Sequence, residues 1–250
     1  GVQTCALPIW GGMLMHLNKD LVPIIRKKDM DNEASKFLQK YCPEALEEPL
    51  PVPVEDIAEL KMDLDIDYVN IDKDLDTLGM MIFSDGPVEL YVQDTDQYIR
   101  RAYKRGTLLV ERNLSETNRG RERFTITHEM VHWDKHQLRF MALSYKDKTL
   151  AKACRCPMAK VYRPKTEEDW LEWQADNLAA AILMPAEMFK QKAEELKSGY
   201  KVGEKINGFM WKGFSPGLIK EFIVDDLAST FQVSKQAVEI RLNTLGIQLV

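Results

Sequence analysis

The chain has 250 residues, of which 45% are hydrophobic and 29% are charged. This composition excludes a disordered chain, because it supplies enough apolar side chains for a sizeable core. The net charge of −5 argues against a protein that wraps nucleic acid, and four cysteines are too few for a disulfide scaffold. The longest apolar run, Ala6 to Leu17, is broken by proline and glycine and is too short to cross a bilayer. We therefore expect a cytoplasmic protein.

The first fifty residues divide into two parts. Residues 1–9 resemble the translation of a common sequencing adapter and are excluded from the fold. Residues 10–50 are predicted to form an N-terminal helical segment and linker, with a helix over Asn32 to Tyr41. Three prolines between Glu47 and Val54 indicate an extended connection.

Strand patterns dominate the next part of the chain. After a helical pattern from Val54 to Met62, the strand-like runs are Asp65 to Ile71, Leu78 to Phe83, Val88 to Val92 and Thr107 to Leu114. The segment from Ser84 to Pro87 has the composition of a hairpin connection between the second and third runs. Ser115 is the predicted N-cap of the helix that follows.

The second half of the chain is predominantly helical. A strong helical pattern covers Glu167 to Leu183 and stops before Pro185, and the last thirty residues are helical again. Between them, Lys192 to Phe214 is polar and is predicted to be loop or weak helix. Strands that come first and helices that follow indicate an α+β fold.

The sharpest motif is the run His128-Glu129-Met130-Val131-His132. On a helix the two histidines lie one turn apart on the same face, so both imidazoles can bind one metal ion. Glu129 is rotated by about 100° from His128, which sets it beside the ion rather than on it. This is where a general base for hydrolysis belongs.

Zinc hydrolysis requires a third protein ligand. The metzincin pattern is excluded, because Lys135 and Leu138 occupy the positions where it needs glycine and histidine. His136 continues the same helical face, but it lies about 5.4 Å beyond His132 along the axis, and a regular helix cannot easily bring three such residues onto one ion.

Glu172 is the better candidate for the third ligand. Asp176 follows it by four residues and so lies on the same helical face. A carboxylate at that position can accept the free ring N–H of a ligating histidine and fix its tautomer, which makes Asp176 a candidate outer partner of the metal site.

Two stretches of sequence together resemble the ImmA/IrrE family of metallo-endopeptidases. They are Phe124-Thr125-Ile126-Thr127-His128-Glu129-Met130-Val131-His132 and Glu172-Trp173-Gln174-Ala175-Asp176-Asn177-Leu178-Ala179-Ala180-Ala181-Ile182-Leu183-Met184-Pro185. The resemblance covers about Pro51 to Pro185 and implies a zincin-like α+β domain over residues 51–200, with a small antiparallel-type sheet and active-site helices.

The resemblance also implies the roles of the site residues. It assigns zinc to His128, His132 and Glu172, and catalysis to Glu129. The commoner family pattern has glutamate at the position of Gln174 and often asparagine in place of Asp176. Characterised members of the family cleave helix-turn-helix repressors and thereby switch on mobile-element or stress genes.

Residues 215–250 form a predicted helix-turn-helix-like segment. The apolar spacing between Asp226 and Leu242 resembles that motif. However, Lys220 to Val250 holds three basic and four acidic residues, whereas binding to DNA depends on neutralising phosphates. We therefore expect these helices to pack on the core through Leu227, Phe231, Val233, Ala237, Ile240, Leu242 and Leu245, and direct DNA binding is not expected.

The motifs thus predict a zinc endopeptidase, and the family resemblance implies that its protein substrate is a helix-turn-helix repressor. The substrate is expected to lie extended along an edge strand at Thr107 to Leu114. The alternative is a non-catalytic regulator, stabilised by a metal, that binds DNA or a repressor through its C-terminal helices. The presence of Glu129 favours the enzyme, because a purely structural metal site has no use for a base beside it.

Overall fold

The computed structural model describes residues 17–146, 153–157, 164, 166–200, 203–206 and 210–249. The predicted adapter segment, residues 1–9, lies outside these ranges. The described chain begins with a short 3-10 helix, Lys27–Asp29, that leads into α1 (Met30–Tyr41). The buried side chains of α1 are Met30, Ala34, Phe37 and Leu38, a spacing that places them on one helical face.

The strands of the described ranges are short. They are β1 (Asp65–Val69), β2 (Thr77–Ile82), β3 (Gly86–Val92), β4 (Gln97–Tyr103), β5 (Thr107–Glu111), β6 (Ala153–Pro157), β7 (Glu204–Ile206) and β8 (Met210–Lys212). Four of them form one sheet in the order β1-β5-β2-β6. The pairings of β2 with β5 and β6 are antiparallel, as predicted, whereas β1 and β5 are parallel.

The predicted hairpin at Ser84 to Pro87 is wrong. β2 is a central strand that pairs with β5 and β6, whereas β3 leaves this sheet and pairs with β4. Sequence patterns did not reveal β4, because six of its seven residues are exposed and the strand lacks the alternation that a half-buried strand shows.

The predicted edge strand is also wrong. β5 lies between β1 and β2, so both of its edges are already paired, and all five of its residues are buried. Burial on both faces explains its continuous apolar sequence, which the prediction took for an accessible strand. The strand ends at Glu111, and the edges of the sheet are β1 and β6.

Helices cover one face of the sheet and the rest of the core. A short helix α2 (Val54–Asp56) continues as a π-helical turn, Ile57–Lys61, in place of the regular helix predicted there. The others are α3 (Asn113–Thr117), α4 (Arg119–Lys135), α5 (Gln137–Lys146), α6 (Glu167–Leu183), α7 (Ala186–Gly199), α8 (Pro216–Phe231) and α9 (Lys235–Leu245).

Capping residues explain where the two main helices begin. α4 starts after Asn118, whose side chain accepts a hydrogen bond from the Arg121 N–H, and not at the predicted N-cap Ser115, which lies inside α3. Thr166 and the third residue of α6 form a reciprocal capping box. α6 ends at Leu183, just before Pro185, as the sequence predicts.

The C-terminal helices pack on the core rather than standing apart. Leu227, Phe231 and Leu242 are buried in the same hydrophobic cluster as residues of α1, α4 and α6, whereas Ile240 is 56% exposed. The predicted packing of Ile240 is therefore wrong. No helix among the described residues is long and apolar enough to span a membrane.

Two basic residues of α9 are held by other parts of the chain. Arg241 is 5% exposed, donates to the Met184 carbonyl and pairs with Asp31 of α1. Lys235 pairs with Asp225 of α8. Arg241 is therefore turned inward, whereas Lys235 stays exposed at the surface, where it is paired with Asp225.

Candidate metal centre

The site is built on α4, which lies against the sheet on one side and α6 on the other. Every residue from Thr125 to His132 is buried, although five of the eight side chains are polar. Gly79 of β2 permits the close approach of this helix. A Cβ atom at Gly79 would lie 2.5 Å from Cγ2 of Thr125 and 3.0 Å from Oε1 of Glu129.

His128, His132 and Glu172 converge on one point. Each offers a ligand atom, and these atoms all lie within 4.8 Å of one another. Nε2 of His128 is 3.0 Å from Nε2 of His132 and 3.2 Å from Oε2 of Glu172. Nε2 of His132 is 3.4 Å from Oε1 of Glu172. α4 thus brings two imidazoles, and α6 one carboxylate, to the same place.

The donor set of this trio fits a metal ion. Oδ1 of Asp176 lies 3.0 Å from Nδ1 of His128, at the position that the sequence predicts. Because a carboxylate only accepts, Nδ1 of His128 donates its hydrogen and Nε2 presents a lone pair to the trio. Lone pairs that face a carboxylate across about 3 Å need a cation between them, either a proton or a metal ion.

Burial and neighbouring charges shift the pKa values of Glu172 and His132. Burial acts to raise the pKa of Glu172, but the nearby His132 and His128, by charge and hydrogen bonding, outweigh it and hold that pKa well below its ordinary value. Burial lowers the pKa of His132. Glu172 is therefore an anion and His132 favours its neutral form, which are the states that bind a metal ion.

Glu129 lies next to the trio without belonging to it. Burial raises the pKa of Glu129 to about 8, against the opposing charge of His128. Neither carboxylate oxygen makes a hydrogen bond of good geometry to a described residue, although the backbone of Met81 on β2 acts on the group. A buried carboxylate without such partners can still take up a proton.

Two polar residues behind His132 were not recognised from the sequence as part of the site. Nδ1 of His132 is 2.9 Å from Nδ1 of His136, and Nε2 of His136 is 3.1 Å from Oε1 of Gln174. Nε2 of Gln174 donates in turn to the Pro23 carbonyl at 2.7 Å. The four-residue spacing of His132 and His136 was the available signal, and it marks a neighbour of His132 that lies outside the trio.

A cavity of about 390 Å³ adjoins the site between α4, α6 and α9. Asp176, the partner of His128, forms part of its wall. Most of the remaining lining is apolar or aromatic, with Phe124 from α4, Trp173 from α6 and Ile240 from α9. The cavity therefore offers an apolar compartment within one residue of the metal trio.

An α+β fold in which one helix supplies two histidines and an intervening glutamate, opposed by a carboxylate from a second helix, defines a zincin-like domain of metallopeptidase type. The sequence matches the family model Peptidase_M78, described as the IrrE N-terminal-like domain, over residues 77–243. The chain belongs to this family, which confirms the resemblance inferred from its motifs. Membership supports a peptidase function that depends on a metal ion.

No curated protein sequence is similar enough to match this chain. Among solved structures, the chain is similar to a Mycobacterium tuberculosis transcriptional regulator, with 16% sequence identity and a TM-score of 0.44. The match covers 86% of this chain and 46% of that structure, so the present chain spans less than half of its length.

Proposed function

We propose that the chain is a zinc endopeptidase that cleaves a helix-turn-helix repressor. His128, His132 and Glu172 hold the zinc ion, and Glu129 is the general base. One observation carries the enzymatic part of this proposal: three converging metal-ligand groups lie beside a buried carboxylate to which no described residue makes a hydrogen bond of good geometry. A structural metal site would have no use for that carboxylate.

The residues present favour zinc. Two imidazoles and one carboxylate are the protein ligands of many catalytic zinc sites, which leave a fourth position open. Zinc held there would supply Lewis-acid chemistry, polarising the scissile carbonyl and lowering the pKa of a water molecule to about 7.

The chain's own residues then account for proton movement. A carboxylate oxygen of Glu129 accepts a proton from the attacking water and delivers it to the nitrogen of the leaving amine. No described residue makes a well-formed hydrogen bond to this carboxylate, so its oxygens are available to accept a proton, and burial makes it a stronger base than a solvated carboxylate. Asp176 keeps the ring of His128 oriented by accepting its Nδ1–H.

The cavity supports a substrate with an apolar side chain next to the cleaved bond. Phe124 and Trp173 present ring surfaces to this space, and Asp176 connects it to the metal trio. Apolar lining with a few polar groups at one end is typical of sites that bind a substrate group. The choice of a repressor as substrate rests on the family resemblance, and the cavity is compatible with an apolar anchor from such a protein.

The variant Glu129→Gln tests the proposed role of the base. We expect it to fold and to retain zinc, measured by metal analysis of the purified full chain, but to lose cleavage of a candidate repressor, followed by mass spectrometry of the products. Glu111→Gln is the matched control, because Glu111 is an equally buried carboxylate at the end of β5 and its loss should leave cleavage intact.

Two results would contradict the proposal. A Glu129→Gln protein that holds zinc and cleaves at the wild-type rate would remove Glu129 from catalysis. A wild-type protein that binds zinc and a repressor tightly but releases no fragments would favour the non-catalytic regulator instead.

A further inference from the structure

We propose that His136 and Gln174 are positioning residues that fix the tautomer of His132 through a hydrogen-bond chain anchored at the Pro23 carbonyl. This inference rests on the proposed function, because it takes His132 as a metal ligand. The chain runs from Pro23 to Gln174, from Gln174 to His136 and from His136 to His132, with donor–acceptor distances of 2.7, 3.1 and 2.9 Å.

The direction of the chain is set at Pro23. A carbonyl oxygen can only accept, so the amide nitrogen of Gln174, and not its oxygen, must face Pro23. The amide oxygen of Gln174 therefore faces His136 and needs a donor there. Nε2 of His136 must carry a hydrogen, and the reverse amide orientation would set two acceptor oxygens 2.7 Å apart.

The tautomer of His136 in turn determines that of His132. This side chain has no exposed surface, and no carboxylate lies on either of its ring nitrogens among the described residues. A buried imidazolium without an anionic partner is costly, so the ring is neutral. With its hydrogen on Nε2, its Nδ1 is an acceptor. Nδ1 of His132 must therefore donate, and this leaves the lone pair of His132 on Nε2.

This tautomer is the one that a metal site needs. Nε2 of His132 is the atom that faces His128 and Glu172. With the opposite tautomer, Nε2 of His132 would carry a hydrogen and donate it to Glu172, so Nε2 could not bind a metal ion. The uncharged hydrogen-bond chain therefore fixes the tautomer of His132, as the Asp176 carboxylate fixes that of His128.

Pro23, which ends the hydrogen-bond chain, lies outside the part of the sequence that matches the family model. Pro23 precedes α1 and falls before residue 77, where the match to the family model begins. It is held there by buried neighbours, since Val22 and Ile25 belong to the main hydrophobic cluster. The N-terminal segment thus contributes to the metal site through one backbone oxygen.

Zinc affinity of the full-length chain, measured by competition with a chelator, tests this proposal. Gln174→Met keeps a similar volume but removes both hydrogen bonds, so the direction of the chain is no longer imposed. We expect it to weaken zinc binding by about 10- to 100-fold, the usual effect of removing an outer partner of a metal ligand. Ile182→Val, a mild loss of packing on the same helix, is the control and should leave the affinity unchanged.

Gln174→Glu separates positioning from mere support of the fold. A carboxylate still accepts from Nε2–H of His136, so we expect zinc affinity close to that of the wild type at pH 9, where the added carboxylate no longer holds His136 as an imidazolium. Its second oxygen faces the Pro23 carbonyl, however, and the melting temperature of the zinc-free protein should fall. A purely structural role would instead make zinc affinity follow the melting temperature in both variants.

Nitrogen-15 NMR of labelled histidines in the zinc-free chain at pH 8 tests the tautomer directly. We expect His132 to be protonated on Nδ1 in the wild type. Protonation on Nε2, or a Gln174→Met protein that binds zinc as tightly as the wild type, would overturn the proposal. A wild-type chain without zinc affinity would contradict the proposed function instead, and the NMR result would then decide the hydrogen-bond chain by itself.

Discussion

Replacing Gly79 by alanine tests how α4 is seated on the sheet. The added Cβ would lie 2.5 Å from Cγ2 of Thr125, whereas two carbon atoms in contact are ordinarily about 3.5–4.0 Å apart. The overlap is therefore about 1 Å or more. Every residue of β2 is buried, and Thr125 has no exposed surface, so the strain cannot be relieved towards solvent. Either α4 retreats from β2 or its side chains rotate.

The expected loss of stability is about 1–3 kcal/mol, as for other overpacked cores. The cleavage rate should fall by more than this loss of stability alone would cause. The same Cβ would be 3.0 Å from Oε1 and 3.1 Å from Cγ of Glu129, so the proposed base is displaced as well. A shift of about 1 Å in a catalytic group can lower the rate about 100-fold.

Combining Gly79→Ala with Thr125→Ala separates the two effects. Thr125→Ala removes the Cγ2 atom that makes the closest contact, and its buried hydroxyl has no hydrogen-bond partner to lose among the described residues. We expect the double variant to recover most of the stability, measured by urea denaturation, but not the cleavage rate, because the contact with Glu129 remains.

Two outcomes would refute this reasoning. Gly79→Ala with wild-type stability and rate would mean that α4 does not approach β2 as closely as the structure has it. A double variant that recovers the cleavage rate in full would mean that Glu129 was disturbed only through Thr125 and not by the new methyl group.

Three further outcomes follow from the cavity, a buried acid and the last helix. Ala237→Trp should fill the cavity and lower the cleavage rate at least tenfold without loss of zinc. Glu239→Trp, which is exposed and lies outside the cavity lining, should leave the cleavage rate unchanged. Equal cleavage rates in the two variants would mean that the cavity does not bind substrate. In the folded chain, burial raises the pKa of Glu111 above its ordinary 4.5. The protonated Glu111 carboxyl therefore stabilises the fold fully below pH 4.5, and this stabilisation is lost as the pH rises through the pKa of the folded state. The gain in unfolding free energy of Glu111→Gln over wild type should therefore be greater at pH 8 than at pH 4, and an equal difference in urea denaturation would contradict this. We expect no sequence-specific DNA binding, because Arg241 is buried and Lys235 is paired; a salt-dependent, sequence-selective gel shift abolished by Lys235→Ala would refute it.

Local patterns were sufficient to place the trio on two helices, although the start of α4 was not at the predicted Ser115. The limits of α6, Glu167–Leu183, match the prediction, because proline ends the helix by a purely local effect. The i, i+4 spacing of His128 and His132 and the separation of Glu172 from Asp176 are likewise local geometry. Once both segments are helical, little freedom remains in which atoms can meet.

Long-range pairing could not be obtained in the same way. The positions of β2 and β5 inside the sheet depend on partners far along the chain, and a continuous apolar strand gives no sign of which neighbours it has. The hydrogen bond between Gln174 and Pro23 joins residues 151 positions apart. Pro23 belongs to no motif, the motif that contains Gln174 gives no sign of a distant partner, and only the packing of the N-terminal segment against α6 brings the two residues together.

α4 shows why the site itself departs from ordinary sequence patterns. A helix that packs on a sheet normally buries an apolar stripe, but the buried residues of α4 include Glu122, Arg123 and the metal trio's two histidines. Each has an identifiable partner: Glu122 accepts from Tyr68, and Arg123 donates to the carbonyls of Val52 and Gln232. Among the described residues of α4, Glu129 is the buried carboxylate without such a partner, which is a cost to folding that its proposed role as a base would justify. The violation of the apolar pattern on this helix is therefore the strongest structural argument that it carries chemistry.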